Sequence, residues 1–335
     1  AALGEFGQIR ESYQRLKSIH YFCQSFGQTL CKLKTMLPIN AGDIVPKDLE
    51  TLRYAVRTDG EKGYVFINNF QDHECMKPKQ NESITVITKD KTIEFKDIGL
   101  ANEENCILPF EMDLDGCKLE WASLQPVTVL QLEKKNIYVF LKPDGMEKPQ
   151  FCFEDSILTS QGNNHYICDV NEEVEVFNIN NSKDKMNKEV EILCVNRELA
   201  NQMYMLQGEG IVFTSGALLV KDSGIYVESQ SEIEVIKTYP KEFLSKSNYL
   251  QKVESKILSS YQTKKTVKNK NMELEKQIVI DTVGTTRYKV TLPENVLEGV
   301  TDRILKITYQ GDIGQAFIDG ELVHDNFYNG APWEI

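Results

Sequence analysis

The chain has 335 residues, 41% hydrophobic and 26% charged, enough apolar material for sizeable cores and too much for a disordered polymer. Acidic residues number 50 against 38 basic ones, and the net charge of −12 opposes the basic footprint that nucleic-acid binding requires. No apolar run reaches the roughly 18 residues of a membrane span, and the sequence does not open on a basic segment followed by an apolar core.

In chain order, residues 8–37 predict one amphipathic helix. Ile9, Tyr13, Leu16, His20, Cys23, Phe26, Leu30, Leu33 and Leu37 recur at spacings of three and four, and Pro38 stops the run. One helix cannot bury such a stripe alone, so it must dock on another body. From Leu52 the period changes to two. Strands are predicted at 53–58 and 64–70 around an Asp59–Gly63 turn, then at 84–88, 92–95, 116–120, 127–132 and 137–141. These form a first β-sandwich domain, 38–153. A second β-rich segment, 154–240, holds strands at 164–168, 174–177, 190–195, 211–214, 217–221 and 225–229. A short helix is expected at 197–206, with Asn196 as its N-cap and Gly208 as its stop.

Residues 241–276 read as a linker or exposed loop, since Lys252–Lys276 is rich in Lys, Ser, Thr, Asn and Gln. A smaller β unit follows over 277–335, with strands at 277–282, 286–292, 305–309 and 315–319. Its last hairpin turns at Asp319–Gly320, a strong two-residue turn signal. The expected fold class is mostly β: antiparallel β-sandwich or jelly-roll domains preceded by one long N-terminal helix.

The residues that carry common chemistries are missing or scattered. Cys23, Cys31, Cys75, Cys106, Cys117, Cys152, Cys168 and Cys194 stand singly, with no Cys-x-x-Cys pair, and the four histidines are dispersed. No metal site and no cofactor are expected. Cysteines such as Cys152 in Phe151-Cys152-Phe153 read as buried reduced thiols, which suits a cytoplasmic protein. No Gly-x-Ser-x-Gly elbow, phosphate loop or dinucleotide fingerprint occurs. Asp312, Asp319 and Glu321 read as turn and strand-edge residues rather than a catalytic pair. His324, beside Asp325, reads as half of a surface pair.

Aromatic side chains are the binding candidates. Sugars stack apolar C–H faces on rings, while amides and carboxylates take the hydroxyls. Trp333, Tyr328 and Asn329 cluster near the end of the sequence, and Trp121 sits in the strand Leu119-Glu120-Trp121-Ala122. Packing competes with binding at both tryptophans and outweighs it at Trp121. Asn68-Asn69 either bind a ligand or cap a turn, and turn chemistry is the commoner cause.

Several runs resemble the β-galactosidases of glycoside hydrolase family 35, most closely the bacterial ones. Gly4-Glu5-Phe6-Gly7-Gln8-Ile9-Arg10-Glu11-Ser12-Tyr13 is similar to the segment that ends their catalytic barrel. Leu52–Arg57, Gly63–Gln71, Ile107-Leu108-Pro109-Phe110 and Trp121–Pro126 resemble their first β-domain. The closing stretch, Tyr309-Gln310-Gly311-Asp312 through Phe327–Ile335, looks like their C-terminal jelly-roll, galactose-binding-like unit, expected here to lack its final strand.

The resemblance implies a retaining exo-β-galactosidase whose two catalytic glutamates lie upstream of Ala1, so no catalytic residue is assigned in this chain. It implies that residues 1–37 are the last helix of that barrel and that the chain's partner is its own upstream barrel. Expected partners are thus that barrel and a galactoside, with no nucleic acid and no membrane. Two other readings stand beside it. One is a carbohydrate-binding module acting through Trp333 and Tyr328; the other is an assembly scaffold that forms a homodimer through the helix stripe.

Overall fold

A computed structural model describes residues 2–5, 7, 9–154, 164–168, 170, 174–179, 188–206, 209–221, 224–228, 236–240, 279–284, 286–294, 296 and 304–335. The expected 241–276 linker lies outside the described residues, as does the helix stop at Gly208. The fold is mostly β, with several antiparallel sheets and an N-terminal helix. Two compact units form, one from the described residues between 14 and 240, the other from residues up to 13 together with those from 279 onward.

The larger unit takes α1 (Glu11–Leu30) from Gln14 onward, then β1 (Lys34–Met36), β2 (Arg53–Thr58), β3 (Gly63–Asn68), β4 (Lys79–Ile87) and β5 (Thr92–Leu100). It continues with β6 (Asn105–Leu114), β7 (Cys117–Ala122), β8 (Gln125–Gln131), β9 (Lys135–Leu141) and β10 (Gln150–Phe153). Next come β11 (His165–Ile167), β12 (Glu175–Ile179), β13 (Glu189–Val195) and α2 (Arg197–Gln202). It closes with β14 (Met203–Leu206), β15 (Gly210–Thr214), β16 (Ala217–Lys221), β17 (Gly224–Glu228) and β18 (Ile236–Tyr239).

A seven-stranded sheet, ordered β1-β2-β3-β6-β7-β10-β11, forms the middle of this unit. On one face Val65, Leu108, Phe110 and Trp121 meet Ile84, Ile93, Phe95 and Ile98 of the β4–β5 hairpin. On the other face Tyr64, Leu114, Leu119 and Phe151 meet Phe140, Phe177 and Ile192 of a four-stranded sheet, β12-β13-β9-β8. The outer face of that second sheet buries Val139, Leu141 and Val195 against Leu199, Met203, Ile211 and Phe213. Stacked layers, each burying one set of alternate side chains, build this unit.

This layering explains where the sequence misleads. A strand covered on both faces carries an unbroken apolar run rather than an alternation. β10 and the first half of β6, Cys106–Phe110, are of this kind and fall outside the predicted strands. β6 also contains Pro109, which argues against an interior strand, yet its pairing with β7 begins only at Phe110. β13 pairs with β9 in parallel, and β11 pairs with β10. Strands on both sides of residue 154 are therefore hydrogen-bonded to one another. Gly63 is required where the β2–β3 turn closes, since a Cβ there would lie 2.0 Å from the Arg57 carbonyl oxygen.

The helix of residues 8–37 is shorter and differently phased than expected. α1 ends at Leu30, and tightened bonds from Lys32 N–H to Thr29 O (3.0 Å) and Leu33 N–H to Leu30 O (3.2 Å) unwind it. Lys34–Met36 then turns into a strand beside β2. The buried stripe is Lys17, Ser18, Phe22 and Phe26, whereas Leu16, Ile19, His20 and Cys23 face outward. At α2 the Asn196 cap forms, its Oδ1 accepting from the Leu199 N–H at 2.8 Å. Residues 203–206, expected to continue that helix, pair instead with β15.

The smaller unit contains β19 (Val279–Gly284), β20 (Arg287–Thr291), β21 (Lys306–Ile307), β22 (Ile313–Ile318), β23 (Glu321–Phe327) and β24 (Trp333–Glu334). They pair as β19–β20, β21–β24 and β22–β23. The Asp319–Gly320 turn forms as expected, with φ of 51° and 87°, the left-handed conformations that a two-residue hairpin needs. Arg10 lies 3.8 Å from Glu334, and Ile335 N–H donates to Leu305 O at 3.0 Å.

Candidate functional site

Of the four aromatic and amide candidates, the structure brings three into the smaller unit. Trp333 lies on β24, beyond the last predicted strand, and is 7% exposed. Its indole N–H donates to His324 Nδ1 at 2.7 Å, and the two rings stack with centroids 5.6 Å apart. Because Nδ1 accepts, the imidazole proton sits on Nε2, which faces the Glu5 carboxylate at 2.5 Å. His324 is thus a buried link between the N-terminal segment and the indole rather than a surface residue. Tyr309 bridges the cluster, its ring 6.0 Å from Trp333 and 5.3 Å from Tyr328. Its hydroxyl donates to Asn326 O at 3.1 Å and accepts from Asn326 Nδ2 at 2.9 Å.

This arrangement leaves Trp333 no open face for stacking. Tyr328, 37% exposed, keeps an accessible ring, and Asn329 Oδ1 is held in its turn by the Ala331 N–H at 3.0 Å. Gly314 makes room for the indole, since a Cβ there would lie 2.7 Å from Trp333 Cζ3. Gly314→Ala is expected to displace the ring. With two tryptophans in the chain, the indole N–H region of a proton–nitrogen NMR spectrum should show one of two signals shifted and the other unmoved.

Trp121 belongs to the larger unit. It is buried on β7 against Phe95, 5.5 Å between centroids, and near His165 at 6.1 Å. It does not join the other candidates. Asn69 is also structural: fully buried, it donates to Lys77 O at 3.1 Å and Ala101 O at 2.8 Å. Asn68 Oδ1 takes the Phe70 N–H at 3.1 Å, the turn chemistry expected of it.

Next to Trp121, Cys152 Sγ lies 3.5 Å from His165 Nε2 and 3.2 Å from Glu120 Oε2. The residue types suit a nucleophile. Burial first, and the Glu120 carboxylate second, push this thiol up to about 12, so it stays protonated and unreactive at neutral pH. Cys106, Cys117, Cys168 and Cys194 are likewise buried, while Cys23, Cys31 and Cys75 are exposed. Among the described residues no group of three or more His, Cys, Asp or Glu is placed to hold a metal ion. No helix among them is long and apolar enough to cross a membrane.

A second site escaped sequence reasoning. A cleft of about 500 Å³ runs beneath α1, lined by Tyr21, Gln24, Tyr64, Thr128, Gln131 and Tyr138 among others. Tyr21 and Gln24 come from the helix, Tyr64 from β3, Thr128 and Gln131 from β8, and Tyr138 from β9. No local spacing joins these positions, because only the layering assembles them. The Tyr21 hydroxyl is anchored by the Met205 N–H at 3.1 Å, and Thr128 Oγ1 meets Ser25 Oγ at 3.0 Å. Glu111, at the cleft wall, is buried and held between the ammonium groups of Lys91 and Lys118, each at 2.7 Å.

No family model and no curated protein matches this chain. Its reading rests on the residues themselves.

Proposed function

We propose that this chain is the non-catalytic, β-rich region of a family 35 β-galactosidase, working beside a catalytic barrel in a bacterial cytoplasm. In this reading the smaller unit is a jelly-roll, galactose-binding-like module. The larger unit is a layered buttress that receives the barrel's last helix. The observation that carries the proposal is the double-sided character of α1. One face inserts Phe22 and Phe26 into a core, while Leu16 and Ile19 on the outside are 43% and 40% exposed. A helix apolar on two faces suits a position between two bodies. The sequence runs similar to that family supply the identity of the second body.

The reading predicts that the chain alone does not hydrolyse nitrophenyl β-galactoside. Mixed with a separately produced family barrel, it should co-elute in size-exclusion chromatography, and Leu16→Glu with Ile19→Glu should abolish that co-elution. Robust turnover by the isolated chain, or a complex indifferent to both substitutions, would overturn it.

A further inference from the structure

We infer that the cleft beneath α1 is a binding site for a neutral saccharide of one or two rings, independent of the scaffold role above. At about 500 Å³ it falls within the roughly 300–1,000 Å³ of small-molecule sites.

Tyr64 is the central residue. It is 3% exposed, its ring packed edge-on against Phe22 with centroids 5.2 Å apart, so the side chain is fixed. Burial raises its hydroxyl to about 12, which keeps it protonated and able both to donate and to accept. Among the described residues that hydroxyl has no hydrogen-bond partner, yet Tyr64 lines the cleft. The hydroxyl keeps contact with solvent, so a ligand hydroxyl entering the cleft can take the place of water there.

The surroundings define what would meet it. Tyr21, half-buried and tethered through its hydroxyl, lines the cleft at the helix side. Gln24, one turn further along α1, and Gln131 on β8 are both exposed and without side-chain partners among the described residues. Carboxamides donate and accept at once, as sugar hydroxyls do. Together with the Tyr64 hydroxyl they match the hydroxyl edge of a sugar. The carboxylate of Glu111 is already neutralised by two lysines, and the other charged lining residues, Lys62 and Asp113, are of opposite sign, so the lining favours neither an anionic nor a cationic ligand.

Lactose is the probe, titrated into the full chain by calorimetry. Saturable binding in the millimolar range is expected. Tyr64→Phe, which keeps the ring and its Phe22 contact, should weaken it about threefold to tenfold, the worth of one neutral hydrogen bond. Gln24→Trp, at an exposed helix position where folding is not at stake, should fill the mouth and abolish binding. Trp333→Phe should leave it unchanged. No saturable signal with lactose overturns the inference, and so does binding indifferent to Tyr64→Phe and Gln24→Trp. Binding lost with Trp333→Phe instead would move the site to the smaller unit. The galactosidase and co-elution experiments are unaffected by any of these outcomes, so the two proposals fail separately.

Discussion

Lys17→Met is expected to raise the melting temperature at pH 7, and the gain should shrink as the pH approaches 10.5. Lys17 is buried on α1. Its Nζ donates to Gln14 Oε1 at 2.5 Å and Asn201 O at 3.0 Å and lies 3.5 Å from the Tyr204 ring centroid. It makes no ion pair among the described residues, and the groups around it are an amide, a carbonyl and a phenol. Burial lowers its pKa from 10.5 to about 7.

Between those two values the unfolded chain holds a proton that the folded protein has released, so wild-type stability rises with pH across the window. Below about 7 both states are protonated, and the full cost of the buried charge, on the order of a few kcal/mol, is present. Methionine keeps the stem's volume and removes that cost, offset by the two lost hydrogen bonds. A net gain of about 1–3 kcal/mol corresponds to several degrees at about 2–4 °C per kcal/mol. Thermal melts of both proteins from pH 6 to pH 11 provide the test. A variant that melts lower at pH 7, or a difference that ignores pH, would show that Lys17 carries no burial cost.

Trp121→Ala should be among the most damaging single changes in the larger unit, costing about 3–5 kcal/mol. The indole fills the core between the seven-stranded sheet and the β4–β5 hairpin, beside Phe95, Phe110 and Cys152. Urea denaturation should show a lower midpoint for the larger unit's transition with an unchanged slope. Saccharide titration of whatever fraction stays folded should be unaltered, because Trp121 faces a core rather than the cleft. A variant of native stability with lost sugar binding would reverse this assignment and make Trp121 a recognition residue.

Much of the fold was legible wherever one face of a strand met solvent or a turn broke the chain. β2 was expected over 53–58, β16 over 217–221 and β22–β23 around Asp319–Gly320, each bounded by turn residues. β10 and the first half of β6 were hidden because burial on both faces erases the alternation that marks a strand. The helix phase was misjudged because Lys17 and Ser18 occupy buried positions while Leu16 and Ile19 do not. Polarity alone assigns such residues to the wrong side. Tyr328 and Trp333 both meet the ring of Tyr309. The residue that claims the indole, His324, finds its second partner in Glu5, and a contact so distant in sequence leaves no local trace. The cleft's lining was illegible for the same reason, being drawn from α1, β3, β8 and β9.

The parallel pairing of β9 with β13 also sets the order of events during synthesis. β8 and β9 form a hairpin as soon as they emerge, but the other edge of β9 has no partner until β13 appears, roughly fifty residues later. At a translation rate of about 5–20 residues per second that edge waits for several seconds. Its strand, Ile137-Tyr138-Val139-Phe140-Leu141, is the sort of apolar segment that seeks any open strand nearby. Growth temperature and expression rate should therefore govern the yield of this protein more than its final stability does, since the hazard lies in the nascent chain and is gone once β13 docks.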